Sequence, residues 1–242
     1  MKRSWKCAKS IRRFSKLGGI LALLASTVCL RGYSSEQTHR VLALNAREGL
    51  DAVNTKMEVT MYRGRNAIRL VALPDHKGPD DIMMALVSGE DFKDGTLEID
   101  VAGSPVPDAP SDDRGFIGLA FRAQEHGARR EVIYIRPTNG RADDQVRRNH
   151  SVQYESIPDF PWYRLRQENP GEYESYSDLE AGAWTRMKIV VTGTKARLYI
   201  NGSEQACLIV NDLKLGEAHG QVALWARWST DAYFSNLSIT HD

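Results

Sequence analysis

An all-β fold, a sandwich or a barrel, is predicted by three observations. Beyond residue 35 the chain carries about twelve short β-rich runs separated by turn residues. No stretch there repeats apolar residues with the period of an amphipathic helix. Asn201-Gly202 and the turn at 193–195 are strong hairpin punctuation. Many strands without helices must bury their faces against one another. The runs are 56–63 (KMEVTMYR), 67–73 (AIRLVAL), 82–88 (IMMALVS), 96–101 (TLEIDV), 116–122 (FIGLAFR) and 131–136 (EVIYIR). They continue with 151–154 (SVQY), 184–192 (WTRMKIVVT), 196–200 (ARLYI), 206–210 (ACLIV), 221–227 (QVALWAR) and 232–240 (AYFSNLSIT). Val, Ile, Tyr, Phe and Thr fill them because branched and aromatic side chains suit a pleated, half-buried surface. Residues 103–113 (GSPVPDAPSDD) are predicted to be a Pro-rich surface loop within the domain.

The 242 residues hold 32 Lys plus Arg against 31 Asp plus Glu, a net charge of +1. Eight of the bases and none of the acids lie in residues 1–34, which leaves 24 bases against 31 acids, a net charge of −7. An acidic folded part lacks the basic footprint that nucleic-acid phosphates require. The first 19 residues are basic, residues 20–30 (ILALLASTVCL) are apolar, and small residues follow. Residues 1–35 therefore read as a secretory signal peptide and residues 36–242 as one exported, periplasmic or extracellular domain. Eleven apolar residues fall short of the ~20 needed to span a bilayer, so no membrane span is expected after processing. Cys7 and Cys29 belong to this leader, so Cys207 has no partner for an intrachain disulfide.

The last third carries a recognisable order. A Trp-led strand from Trp184 leads to a hairpin and Asn201-Gly202. Gly220-Gln221-Val222-Ala223-Leu224-Trp225 and Phe234-Ser235-Asn236-Leu237-Ser238-Ile239 follow. With the upstream strand 115–122 (GFIGLAFR), this resembles the concanavalin A-like lectin/glucanase superfamily. More narrowly it is similar to the 3-keto-disaccharide hydrolase family, with laminin G-like modules as neighbours. The resemblance covers roughly residues 96–240. It implies a jelly-roll sandwich of two antiparallel sheets and a carbohydrate partner. Asp112-Asp113-Arg114-Gly115 stands where the family has Gly-Asn-Ser-Gly, and a long segment, 139–178, follows the strand 131–136.

Alternation along the strands separates two faces. On one face of a concave sheet it gathers Arg122, Tyr134, Arg136, Trp225 and Arg227. That is an aromatic platform with polar neighbours, which a sugar ring needs for stacking and directional hydrogen bonds. The segment 139–178 adds Trp162, Tyr163 and Arg164 as binding candidates, because a long aromatic-rich loop over a rigid sandwich commonly carries function. Arg outnumbers Lys by 18 to 6 after residue 34. Its planar fork suits carboxylates and sulfates, so the carbohydrate partner is open to being anionic. Ion pairing with the chain's own acids is the other reading.

A 3-keto-glycoside has an acidified C2–H, so a base can remove it and expel the glycosidic oxygen. The resemblance thus calls for a base, an enolate stabiliser and an acid. His150, Asp143 and Asp144 are the base candidates, Arg122 and Arg136 the stabilisers, and Tyr134 the proton donor. No cofactor is called for. Calcium, which the superfamily often binds, has Asp108, Asp112 and Asp113 as its candidates. The expected function is processing of (3-keto-)glycosides by hydrolysis or elimination. The alternatives are a non-catalytic carbohydrate-binding module and a structural envelope domain.

Overall fold

The computed structural model describes residues 38–242 apart from Pro79, so the leader with its two cysteines lies outside the described residues. The first eight strands are β1 (His39–Leu42), β2 (Leu50–Val53), β3 (Thr55–Tyr62), β4 (Arg65–Ala72), β5 (Ile82–Val87), β6 (Gly95–Pro105), β7 (Ile117–Gln124) and β8 (Arg129–Ile135). After helix α1 (Gln145–Asn149) come β9 (Val152–Ile157), helix α2 (Trp162–Glu168) and β10 (Glu174–Ser175). The chain closes with β11 (Thr185–Thr192), β12 (Lys195–Ile200), β13 (Leu208–Val210), β14 (Gln221–Arg227) and β15 (Thr230–His241).

The strands form two antiparallel sheets. One has eight strands in the order β13-β12-β11-β6-β15-β4-β3, with β1 also paired to β15; the other has seven, β10-β9-β8-β7-β14-β5-β2. Every predicted run lies within or beside one of these strands, and the predicted two-sheet sandwich holds. The main core is the layer between the sheets. Ile68, Leu70, Leu97 and Ile99 of one sheet meet Ile117, Leu119, Phe121, Val222 and Leu224 of the other. At about 25 cal/mol per Å² of buried apolar surface, this layer supplies most of the driving force for folding.

A smaller apolar layer covers the outer face of the seven-stranded sheet: Met84, Ala120, Val132, Tyr134 and Trp225. It forms because β7 offers Gly118 opposite Tyr134. A Cβ there would stand 2.3 Å from the Ile133 carbonyl oxygen and 2.6 Å from the Tyr134 Cα. Glycine lets the Tyr134 ring lie across the strand and meet Trp225, ring centroids 4.8 Å apart.

Two sequence expectations are corrected. The domain does contain helices. Asp144 caps α1 by accepting from the Arg147 amide at 3.0 Å, and α2 begins on Pro161 and buries Leu165. Helices of five and seven residues are too short to leave a periodic signature and form only on a packed surface. Segment 139–178 is likewise not a bare loop: it holds both helices, all of β9 and the edge strand β10. In addition β6 runs on to Pro105, so the Pro-rich loop is shorter than predicted. Among the described residues no helix is long and apolar enough to cross a membrane.

Candidate functional site

A cleft of about 600 Å³ opens where β7 begins and β8 ends. That is within the roughly 300–1,000 Å³ typical of small-molecule sites. The loop before β7 contributes Asp112, Asp113, Arg114 and Phe116, and the chain after β8 contributes Arg136 and Asn139. Helix α1 and its C-terminal residue bring Asp144, Arg147 and His150, and α2 brings Trp162 and Arg166. The Arg227-Trp228-Ser229 crossing from one sheet to the other closes the opposite side. Asp113 braces this crossing: its carboxylate accepts from the Gly115 amide at 2.7 Å and from the Ser229 hydroxyl.

The chemical centre is His150 on Glu174. Glu174 sits on β10 with its side chain only 2% exposed. His150 Nε2 lies 3.2 Å from Glu174 Oε1. Arg166 grips the same carboxylate with Nη2 at 2.6 Å and Nε at 2.9 Å, and Arg136 stands 3.8 Å from it. A carboxylate accepts, so the bond from His150 to Glu174 comes from Nε2–H, which leaves the lone pair on Nδ1. Burial lowers the His150 pKa from the ordinary 6.5; Glu174 opposes this, and Arg166 and Arg136 reinforce it. The imidazole is therefore neutral at physiological pH, the form a general base requires.

Arg136 is held in place from several sides. It donates to the His150 carbonyl at 3.1 Å, to the Tyr134 hydroxyl at 3.2 Å and to Gln153 at 3.1 Å. Its guanidinium also lies over the rings of Phe116, Tyr134 and Trp162. Trp162 in turn receives Arg166 over its face, 4.8 Å from the centroid.

The structure brings together His150, Asp144, Arg136, Arg227 and Trp162 from the predicted set, and Asp112 and Asp113 of the calcium candidates line the same cleft. It separates the others. Arg122 sits on a β-bulge with φ +50°, which turns its side chain away from the outer face on which Ala120 lies. There it is fully buried and donates to the carbonyls of Lys93, Gly193 and Gly216 and to Asp94. Trp225 is 2% exposed beneath the cleft and offers no open platform. Tyr134 is equally buried; burial raises its pKa far above the tyrosine norm, a poor setting for a proton donor. Asp143, Tyr163 and Arg164 do not line the cleft. Tyr163 is exposed, and Arg164 pairs with Glu168 at 2.7 Å. Asp108 and Asp112 are exposed, and Asp113 is committed to its brace. Among the described residues no group of three or more His, Cys, Asp or Glu gathers as metal ligands. Burial pushes the Cys207 thiol up to about 11, which removes it as a nucleophile.

Sequence reasoning missed Arg114 and Trp228 as site residues. Trp228 carried a signal: a large aromatic stands in a two-residue crossing between strands, where small turn residues are the rule.

The architecture is that of a galectin-like sandwich of two antiparallel sheets. The chain belongs to the family of 3-keto-alpha-glucoside-1,2-lyase-like domains, which matches residues 54–240. Among solved structures it is similar to a carbohydrate-binding module of type CBM66 from Bacillus subtilis, with 16% identity and a TM-score of 0.53 over 79% of this chain and 95% of the module. It is also similar to a Bacillus subtilis protein of unknown function with a galectin-like fold, with 11% identity and a TM-score of 0.55 over 84% and 94% of the two chains. A third likeness is a structure described as a native glycosidic hydrolase, with 12% identity and a TM-score of 0.53 over 84% and 95%. At these identities the likenesses define the fold alone. No curated protein matches the chain.

Proposed function

We propose that this chain is an exported enzyme that cleaves 3-keto-glycosides by proton abstraction and elimination. The observation that carries the reading is His150 on the cleft wall, held by the buried, doubly paired Glu174. His150 Nδ1 takes the proton from C2, which the neighbouring ketone acidifies. The electrons pass through the enolate, the C1–O bond breaks, and a C1=C2 double bond forms. Arg136 stands beside the same site as the cation that stabilises the enolate. The protonated imidazole returns the proton to the leaving alkoxide. Water added later across the double bond makes the net reaction a hydrolysis. Two rival readings, a binding module and an envelope domain, give no reason for a buried carboxylate orienting an imidazole at an open wall. Export rests on the basic 1–19 segment and the apolar 20–30 segment. The proposed partner is a carbohydrate, and the Arg-rich lining favours one with negative charge.

The test is incubation of the protein with 3-keto-disaccharides and with the parent disaccharides, followed by product analysis, beside a glycan-binding array. Turnover of the keto sugar that disappears in His150→Ala is expected. Turnover that survives the substitution rules His150 out as base. Glycan binding without any turnover favours the module.

A further inference from the structure

The cations that line the cleft differ in how they are balanced. Arg136 and Arg166 share the Glu174 carboxylate. Arg114 of the loop before β7 and Arg147 of α1 line the same opening, and among the described residues neither has a carboxylate oxygen within ion-pair distance. Arg114 Nη1 is spent on the carbonyls of Ser111 at 2.9 Å and Asp113 at 2.7 Å, which leaves Nε and Nη2 as its presented edge. Arg147 Nε reaches only the Asn139 side-chain oxygen, at 3.4 Å. The acids that line the cleft, Asp112, Asp113 and Asp144, form no ion pair with either guanidinium. Asp113 braces the Ser229 crossing, Asp144 caps α1, and Asp112 is exposed. Arg114 and Arg147 are also close enough to repel. Burial lowers the Arg114 pKa and the charge of Arg147 lowers it further; Asp112 and Asp113 oppose this, and Arg136 adds a smaller lowering.

Two half-buried guanidiniums on separate elements, each without an ion pair and open to one cleft, are placed to hold an anion between them. Their planar forks match the spacing of two oxygens on one carbon or sulfur. We infer that Arg114 and Arg147 form an oxyanion subsite, which selects glycosides carrying a carboxylate or sulfate and seats that group about one helical turn from His150. This deepens the proposed function and rests on it for the word glycoside.

The experiment compares three probes by calorimetric titration: a neutral glucose disaccharide, its glucuronate-terminated counterpart and its sulfated counterpart, each in the 3-keto form. The proteins are the full chain carrying His150→Asn, so that probes survive, and the same chain with Arg114→Gln and Arg147→Gln added. Thermal melting establishes that each is folded. Expected is about tenfold or greater preference for an anionic probe over the neutral one, as charge-assisted bidentate pairing provides, falling below about twofold in the double Gln variant. The preferred arm distinguishes carboxylate from sulfate. Equal affinity for all three probes, a preference that survives both Gln substitutions, or no binding at all overturns the subsite. Turnover assays on the His150-containing protein separate this from the broader reading. Selective binding without turnover removes the enzyme and keeps the subsite; turnover without selectivity does the reverse.

Discussion

Two arginine clusters sit at opposite ends of the same sheet, and they are built for different work. At one end of β7, Arg122 is fully enclosed and spends its guanidinium on three main-chain carbonyls and Asp94. Its neighbour Glu131 is just as buried, accepting from the Tyr154 hydroxyl at 2.7 Å and the Leu215 amide at 2.8 Å. Burial raises the Glu131 pKa in spite of these bonds. At the other end, Arg136 and Arg166 converge on Glu174, but that cluster reaches an open cleft through His150. Both clusters satisfy buried charge. Only the second places an imidazole on the wall of an open cleft. Buried charge alone therefore does not single out a candidate site; buried charge joined to a titratable side chain on an opening does.

That contrast is broken most sharply at His150. His150→Asn is expected to cut turnover of a 3-keto-glycoside by about 100- to 10,000-fold, the range of a lost general base, with little change in melting temperature. Steady-state kinetics and a thermal melt check both halves. A loss of stability on the scale of the activity loss means the residue is a packing element.

Arg122→Met is the mirror experiment. Removing it strands Asp94 and three carbonyls, and breaking a buried charge network costs about 3–5 kcal/mol. Urea denaturation should record that loss. Protein that folds under native conditions should keep its preference among sugar probes. A change in preference without destabilisation would return Arg122 to the site.

The pH profile divides the open cluster further. Only neutral His150 acts as base, so activity falls on acidification through its pKa, which lies below the ordinary 6.5. Glu174 raises that pKa, so Glu174→Gln should move the acid limb to lower pH. Arg166 lowers it, so Arg166→Gln should move the limb to higher pH. Glu174→Gln should also lose about tenfold or more in rate, because the tautomer is no longer fixed. Limbs that fail to move in opposite directions assign the acid pKa to another group.

Fold and site differ in how far they could be read from the residues. Period-two runs and turn residues are local, so β3, β4, β7, β8, β11, β12 and β14 were legible. The short strands β1 and β2 were not, because four residues carry too little pattern. Of the residues that line the cleft, His150, Arg136, Arg227 and Trp162 were singled out from the sequence. Arg122 was misplaced by a bulge, since one extra residue reverses the face that alternation assigns. Arg114 stood in the Asp112-Asp113-Arg114-Gly115 stretch that departs from the family pattern, yet nothing local revealed that α1 would bring Arg147 to face it. The pairing is a product of topology, and a linear reading has no access to it.

The smallest expected effect concerns Trp225, the residue that alternation offered as a sugar platform. It is 2% exposed, packs on Tyr134 at 4.8 Å, and its Nε1 finds no acceptor among the described residues. Trp225→Phe therefore deletes no hydrogen bond and removes only part of a ring from the outer apolar layer. The cost should be about 1 kcal/mol, the scale of a modest large-to-small change in a packed layer. Glycoside affinity should change by less than about twofold, since a stacking residue would lose about 0.5–1.5 kcal/mol of contact. Trp162→Ala makes the opposite trade: the ring lines the cleft and packs against Arg166 and Arg136, so binding should weaken more than folding. Calorimetry and denaturation on the two variants place the sugar against one tryptophan or the other. A larger affinity loss in Trp225→Phe than in Trp162→Ala would mean that the outer layer opens to admit the ring.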